Sequence, residues 1–472
     1  MATLIQQELL YTLSPVGQQV MFTLSNTAIV NNNFNVKFCA AVHISTDAIT
    51  LSNNNDLVGT FKTTPNGAGV GIFDLQPILE TFLKPDSEPS KWATYKGVTN
   101  NYKEFPIHLV DKYCLSDNSI THFGVNFYVE YSTTPLGSLI SDINNPAMSD
   151  QYTIFNGALS YDDDIDIFTA SFPDALGFSM SRYFLTGTFP SPNNQSFLTD
   201  SPTTQYAILG DYGTLPFLNV YTVNTDSALG SIKFSYYDSA GGPLGTDNVL
   251  NTVANSGSPT LGFRASTRLN YFGVFPGNLE NWSSNFATAV AGGLDYYTII
   301  AYDSTGVFPL SKTYTIKIIC PRKGYAPIRL TWLNKWGAWD YYTFNMKSTR
   351  TVNTKRIPYN QEAGTWNEST FKIRGYKGGK KNFRVNSTEK IKINTDFVAE
   401  EEGVWFEQLV SSTEVYVLEG FQTDRTYSSY NTYVQPVTLT TSSYTRKTIA
   451  NDRLMQYTFE IEKSKMERTQ AV

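Results

Sequence analysis

Apolar and polar residues alternate with period two along much of this 472-residue chain. The sequence therefore predicts a mainly β protein: tandem antiparallel β-sandwich-like domains, with a C-terminal β-rich domain carrying one helix. Two further observations point the same way. Tyr and Phe number 30 each while charged residues make up only 17%, a balance that suits pleated, half-buried surfaces. Long runs rich in Ala, Glu, Lys, Leu and Arg are nearly absent. At about 150 residues per domain the length predicts three domains, placed by turn-rich breaks at 1–145, 146–320 and 321–472.

In the first domain Val20, Phe22 and Leu24 alternate with polar neighbours. Val36, Phe38, Ala40, Val42 and Ile44 do so after a turn at Asn31-Asn32-Asn33, which reads as an antiparallel pair. Gly67, Gly69 and Gly71 have the spacing GxGxG after Pro65-Asn66, which is not that of a phosphate loop. A tight turn leading into a short helix at Asp74–Leu83 fits better, with Pro77 tolerated in the first turn. His108 and His122 flank the strand regions Phe105–Val110 and Phe123–Tyr131 and read as structural, because no carboxylate stands at ligand spacing.

Leu136–Asp150, with its Pro, Gly and Asn residues, reads as a linker. Beyond it two turns look alike, Tyr237-Asp238-Ser239-Ala240-Gly241 and Tyr302-Asp303-Ser304-Thr305-Gly306. Each follows an alternating strand and supplies a glycine for a positive φ. A last strand through Tyr314, Ile316, Ile318 and Cys320 closes the second domain. Asp162-Asp163-Asp164-Ile165-Asp166 offers several oxygens to Ca²⁺, but Ile167 and Pro173 occupy the positions where an EF-hand needs Gly and Glu, so solvated carboxylates are expected and no metal.

Leu330–Phe344 concentrates three of the seven Trp residues and reads as a hairpin. Ile328, Leu330 and Trp332 alternate with their neighbours, Asn334-Lys335-Trp336-Gly337 turns, and Trp339, Tyr341 and Thr343 alternate again. Trp332, Trp336, Gly337, Trp339 and Tyr341 are assigned a structural role, since packed rings supply large buried area. A basic extension follows, in which Lys372, Arg374, Lys377, Lys380, Lys381 and Arg384 interleave with Phe371, Ile373, Tyr376, Phe383 and Val385. The best helix of the chain spans about Val398 to Ser411, capped by Thr395 or Asp396, with Glu400, Glu401 and Glu402 at the positive end of its dipole. Strands at Val415–Leu418, Val434–Leu439 and Leu454–Ile461 complete the domain, and Lys463–Val472 reads as a polar tail.

The net charge of −6 hides a segregation. Residues 1–320 hold 13 Lys+Arg against 26 Asp+Glu, residues 321–395 hold 16 against 4, and residues 396–472 hold 7 against 12. The basic segment is the candidate assembly surface. Single-strand nucleic-acid grooves show the same interleaving of cations and rings, and so does plain strand alternation. The three cysteines, Cys39, Cys114 and Cys320, form no zinc pattern and are expected buried and reduced. No charged n-region precedes Lys37, and polar residues interrupt Leu9–Val36, so neither a signal peptide nor a membrane span is expected.

Two stretches carry a family resemblance: the apolar strand, Leu-Asn, Trp-Gly turn and Trp-Asp-Tyr-Tyr-Thr-Phe strand of Leu330–Phe344, and Pro65–Leu79, PNGAGVGIFDLQPIL. Both resemble segments of virion structural proteins of tailed bacteriophages, crAss-like phages among them. The resemblance implies a tail, baseplate or collar component assembled in a host cytoplasm, with other virion proteins as partners and a homo-oligomer in a ring or tail. It supplies no catalytic residue. The residues themselves offer three histidines, all before position 123, no G-x-S-x-G elbow and no cofactor motif. The expected function is accordingly structural and non-catalytic. A carbohydrate- or host-receptor-binding adhesin, stacking exposed rings on a host-surface glycan, and a nucleic-acid-contacting virion protein remain as alternatives.

Overall fold

The computed structural model describes residues 3–45, 56–85, 113–116, 119–158, 180–183, 185, 195–219, 229–250, 268–303, 305–321, 324–419, 433–447, 455–465 and 467–468. The protein is mainly β, with several antiparallel and mixed sheets and few helices. The chain divides into two compact units, one of Met1–Ile319 with Leu333–Asp340, the other of Cys320–Trp332 with Tyr341–Val472.

In the first unit, Met21–Ser25 lies between Leu4–Gln7 and Val70–Asp74 in a three-stranded sheet. Phe34–Ser45 belongs to a different sheet, between Leu57–Thr63 and the long strand Ile120–Ser132, which also pairs with Tyr152–Phe155. The expected alternation is present, with Phe22, Leu24, Phe38, Ala40 and Val42 buried, but the expected pairing of the two strands is not. The asparagine turn is instead the end of a helix, Thr27–Asn32, started by Asn26, whose side chain accepts the Ile29 N–H at 3.2 Å. That helix carries the chain from one sheet to the other. The two sheets share a core in which Phe22 meets Phe127 at 5.3 Å and Tyr152 at 5.9 Å between ring centroids. A Cβ on Gly71 would stand 2.5 Å from the Phe38 ring, which is why this position of the glycine run carries no side chain. The short helix expected after it forms at Gln76–Leu79 and tightens into a 3₁₀ turn at Glu80–Phe82.

The stretch read as a linker carries sheet: Ile140–Ser141 and Ala147–Met148 both pair with Ile120–Ser132. Tyr113–Ser116 leaves that neighbourhood altogether and joins Arg268–Gly273 and Thr214–Asn219 in another three-stranded sheet. The expected boundary at 145/146 therefore lies inside a single unit whose segments interleave.

A five-stranded sheet follows, ordered Thr204–Ala207, Tyr314–Ile318, Tyr296–Asp303, Leu229–Tyr237 and Pro243–Leu250. Its first pair is parallel, as is the pairing of Leu13–Pro15 with Tyr152–Phe155, so the sheets are not purely antiparallel as expected. The two look-alike turns both use their aspartate. Asp238 Oδ1 accepts the N–H groups of Ala240 and Gly242, Asp303 Oδ1 accepts those of Val307 and Phe308, and Gly241 and Gly306 adopt φ of +80° and +71°.

The second unit is built on a sheet ordered Trp339–Phe344, Ile328–Leu333, Val415–Leu418, Val434–Leu439, Thr458–Lys463, Gly379–Asn394 and Thr349–Gln361. Glu467–Arg468 adds a short strand beside Asn386 and Ser387, where a polar tail was expected. The helix forms at Glu400–Ser411. Its start is satisfied by the Glu402 carboxylate, which accepts the Ala399 N–H at 2.7 Å, rather than by Thr395 or Asp396. Thr395 is buried and exchanges hydrogen bonds with Tyr457, its hydroxyl accepting the Tyr457 N–H and its own N–H donating to the Tyr457 carbonyl. Trp405, Phe406 and Leu409 project from one helix face into a core with Trp332, Phe344, Phe459 and Ile391.

Candidate assembly surface

The aromatic hairpin forms as two strands, Ile328–Leu333 and Trp339–Phe344. Both of its faces are buried, where alternation predicted one. In the second unit Trp332 packs on Trp405 with ring centroids 4.8 Å apart. On the other side Arg329, also buried, donates to Thr343 Oγ1 at 2.7 Å and lies over the Tyr341 ring. In the first unit Asn334 Oδ1 accepts the N–H groups of Trp336 and Ala338, while its Nδ2 donates to the Leu198 carbonyl and to Asp340. Asp340 also accepts from Thr199 at 2.6 Å. Trp336 is buried against Tyr183, 4.7 Å between centroids. Gly337 has φ +70°, and any Cβ there would overlap the Asn156 carbonyl oxygen. Trp332, Trp336, Gly337, Trp339 and Tyr341 thus all lie in packed surroundings, and Trp339 and Tyr341 are buried too.

The basic extension is different. Thr349–Gln361 pairs with Gly379–Asn394 from Thr349↔Lys392 outward to Gln361↔Gly379, with a bulge at Ile357/Pro358. On its other side, among the described residues, Gly379–Asn394 is supported only from Asn386 inward, by Thr458–Lys463 and Glu467–Arg468. Beyond Asn386 the hairpin is a two-stranded arm whose outer strand is the edge of the sheet. Residues 362–378 close it as a loop, so the alternation through Phe371 and Ile373 is not that of a half-buried strand. The loop is ordered by its own bonds. Thr365 Oγ1 donates to the Thr370 carbonyl and accepts the Lys372 N–H, Trp366 Nε1 donates to the Ala363 carbonyl at 2.7 Å, and Trp366 meets Phe371 edge-on at 5.7 Å. Gly364, Gly378 and Gly379 take φ of +80° to +93° to make the bends.

The arm gathers all six candidate cations. Lys372, Arg374, Lys380 and Lys381 are exposed, Lys377 and Arg384 half-buried. Among the described residues none forms an ion pair with a carboxylate. Between them stand rings and aliphatic groups that a core would normally claim: Trp366 is 67% exposed, Tyr376 73% and Ile373 81%. Sequence reading caught the cations but missed Trp366. Its signal was the glycines at 364, 375, 378 and 379, which mark a loop with no sheet face to bury a ring. At the base of the arm the chemistry changes. Glu389 accepts from Lys463 at 2.7 Å and from Arg350 at 3.3 Å, and Arg350 also reaches Glu419. The Lys463 hydrogen bond, with the two positive charges, holds the Glu389 carboxyl below its ordinary value.

The two described histidines are engaged in structure. His122 Nδ1 shares a hydrogen bond with Thr153, and His43 Nε2 lies 3.3 Å from Asn126. Cys39 is buried, and that burial, with the Glu130 charge, pushes its thiol up to about 11. Cys320 is exposed, contrary to expectation, because it stands beyond the last strand rather than within it. The side chain of Cys114, His108 and the acidic run Asp162–Asp166 lie outside the described residues. Among the described residues no group of three or more His, Cys, Asp or Glu is placed to hold a metal, and no helix is long and apolar enough to cross a membrane. Compared with protein-family models and with curated proteins, the chain matches none.

Proposed function

We propose that this chain is a non-catalytic structural component of a tailed-phage virion, in the tail, baseplate or collar, that joins other virion proteins and copies of itself in the host cytoplasm. The observation that carries the reading is the arm. A two-stranded ribbon is marginal in water by itself, yet this one displays Trp366, Phe371, Ile373 and Tyr376 to solvent among cations that form no ion pair within the described residues. Exposed apolar groups rimmed by charge are the make-up of a surface that a partner covers. The resemblance of Pro65–Leu79 and Leu330–Phe344 to phage virion proteins supplies the context.

The test is a shortened arm, in which Arg356 is joined to Val385 through Asn-Gly, a sequence suited to a two-residue hairpin turn. The expected result is a chain that melts at the same temperature but is no longer incorporated when the particle is assembled. A shortened chain incorporated as well as the full one would end the proposal. Salt-dependent DNA binding through the arm would favour the nucleic-acid reading.

A further inference from the structure

The first unit carries a second surface that no core absorbs. Leu136, Leu139, Ile140, Ile143 and Met148 are all exposed, Leu136 completely so, within the stretch whose short strands edge Ile120–Ser132. Asp142 and Asp150 stand among them, Asp150 exposed. From 136 to 150 the chain carries these two carboxylates and not one Lys or Arg. The tip of the arm is its complement: residues 355–384 hold eight Lys+Arg and two Asp+Glu, again with exposed apolar side chains between.

We infer that the tip of the arm of one copy docks on the Leu136–Met148 edge of a second copy, head to tail. This deepens the assembly reading and rests on it. Each surface mixes apolar groups with a net charge, positive on the tip and negative on the edge, so like surfaces repel while unlike ones attract and bury their apolar groups together. Aliphatic Ile373 and Ile357 on the arm favour a protein face over nucleic acid, whose bases stack on rings. A contact between two different patches of the same chain is heterologous, and it propagates into a ring or a stack unless two copies exchange arms reciprocally and close as a dimer.

Sedimentation velocity of the full chain over a range of concentration and salt tests this, with two variants: Lys372→Glu with Ile373→Asp in the tip, and Ile143→Lys with Met148→Lys in the edge. All four positions are exposed, so melting temperatures should match the parent. The uncharged variants Trp366→Ala and Leu136→Ser repeat the comparison should either pair fold poorly. The parent is expected to self-associate, less so at high salt. Each variant alone should associate at least about 30-fold more weakly, the loss of a hot spot. Mixed, the two variants should form one-to-one pairs and stop there, because only one intact junction exists between them. Either variant associating like the parent would overturn the inference, as would a mixture that stays monomeric. A parent that is monomeric throughout also overturns it, whether or not it binds DNA. If that monomer is still incorporated beside other virion proteins, the assembly reading survives and this inference alone falls.

Discussion

Trp332 and Gly337 stand in one hairpin, yet replacing them should cost stability by different routes. Trp332 is buried against Trp405, and among the described residues no hydrogen-bond partner satisfies its Nε1. Trp332→Ala should therefore lose ~3–5 kcal/mol through the cavity it leaves, whereas Trp332→Phe should lose only about 1 kcal/mol, since no hydrogen bond is broken. Chemical denaturation of both variants checks the difference; equal losses would mean that the indole N–H matters. Gly337→Ala meets both a positive φ and the Asn156 carbonyl, and at least about 2 kcal/mol is expected from strain alone. At this scale the sequence was readable where the residue type admits few roles. Clustered tryptophans and a glycine inside a turn announced a packed hairpin. The identity of their neighbours was not readable, because Tyr183 and Trp405 come from distant parts of the chain and nothing local to the hairpin encodes them.

Among the elements, the ion-pair group at the base of the arm gives a pH prediction. Glu389 ionises more readily when folded than its ordinary value of 4.5, so its contribution is present above that pH and lost as pH falls through the folded value. Glu389→Gln should cost roughly 1 kcal/mol near neutrality and little in acid, as expected of a partly buried pair. Melting curves at the two pH extremes test this, and a loss independent of pH would refute it. Strands and their faces were legible because alternation reports which residues share a side. Val415–Leu418 and Val434–Leu439 form where expected. Which strand neighbours which was not legible, since face patterning carries no partner information. Met21–Ser25 and Phe34–Ser45 therefore end up in different sheets. The arm loop was not legible for a related reason: alternation without a covering sheet looks the same as alternation with one.

For the whole molecule, the charge segregation visible in the sequence sets eight Lys and Arg residues on the arm, at 355–384, against an acidic excess in the sequence of the first unit. Limited proteolysis should cut in the loop 362–378, where exposed Lys372 and Arg374 offer trypsin its sites. Protection of those sites on self-association would accompany docking; unchanged cleavage in the assembled state would argue against it. The expected domain boundary at 320/321 implies that a chain ending there folds alone. The division into units argues otherwise, because Leu333–Asp340 completes the first one. Such a truncated chain should melt lower than the first unit of the intact protein, having lost Trp336 from beside Tyr183 and Asn334 from Leu198.

That shared hairpin also sets an order in time. Synthesis runs from the N-terminus, and domains generally fold as units as they emerge. Here the first unit cannot finish when its main segment has left the ribosome, because its last piece comes after the first thirteen residues of the second. Until Asp340 emerges, the groups that will receive Trp336 and Asn334 stay uncovered. A nascent chain stalled before that point is expected to remain sensitive to protease across residues 195–200, which receive Asn334 and Asp340, and to become resistant there once the turn is free to close.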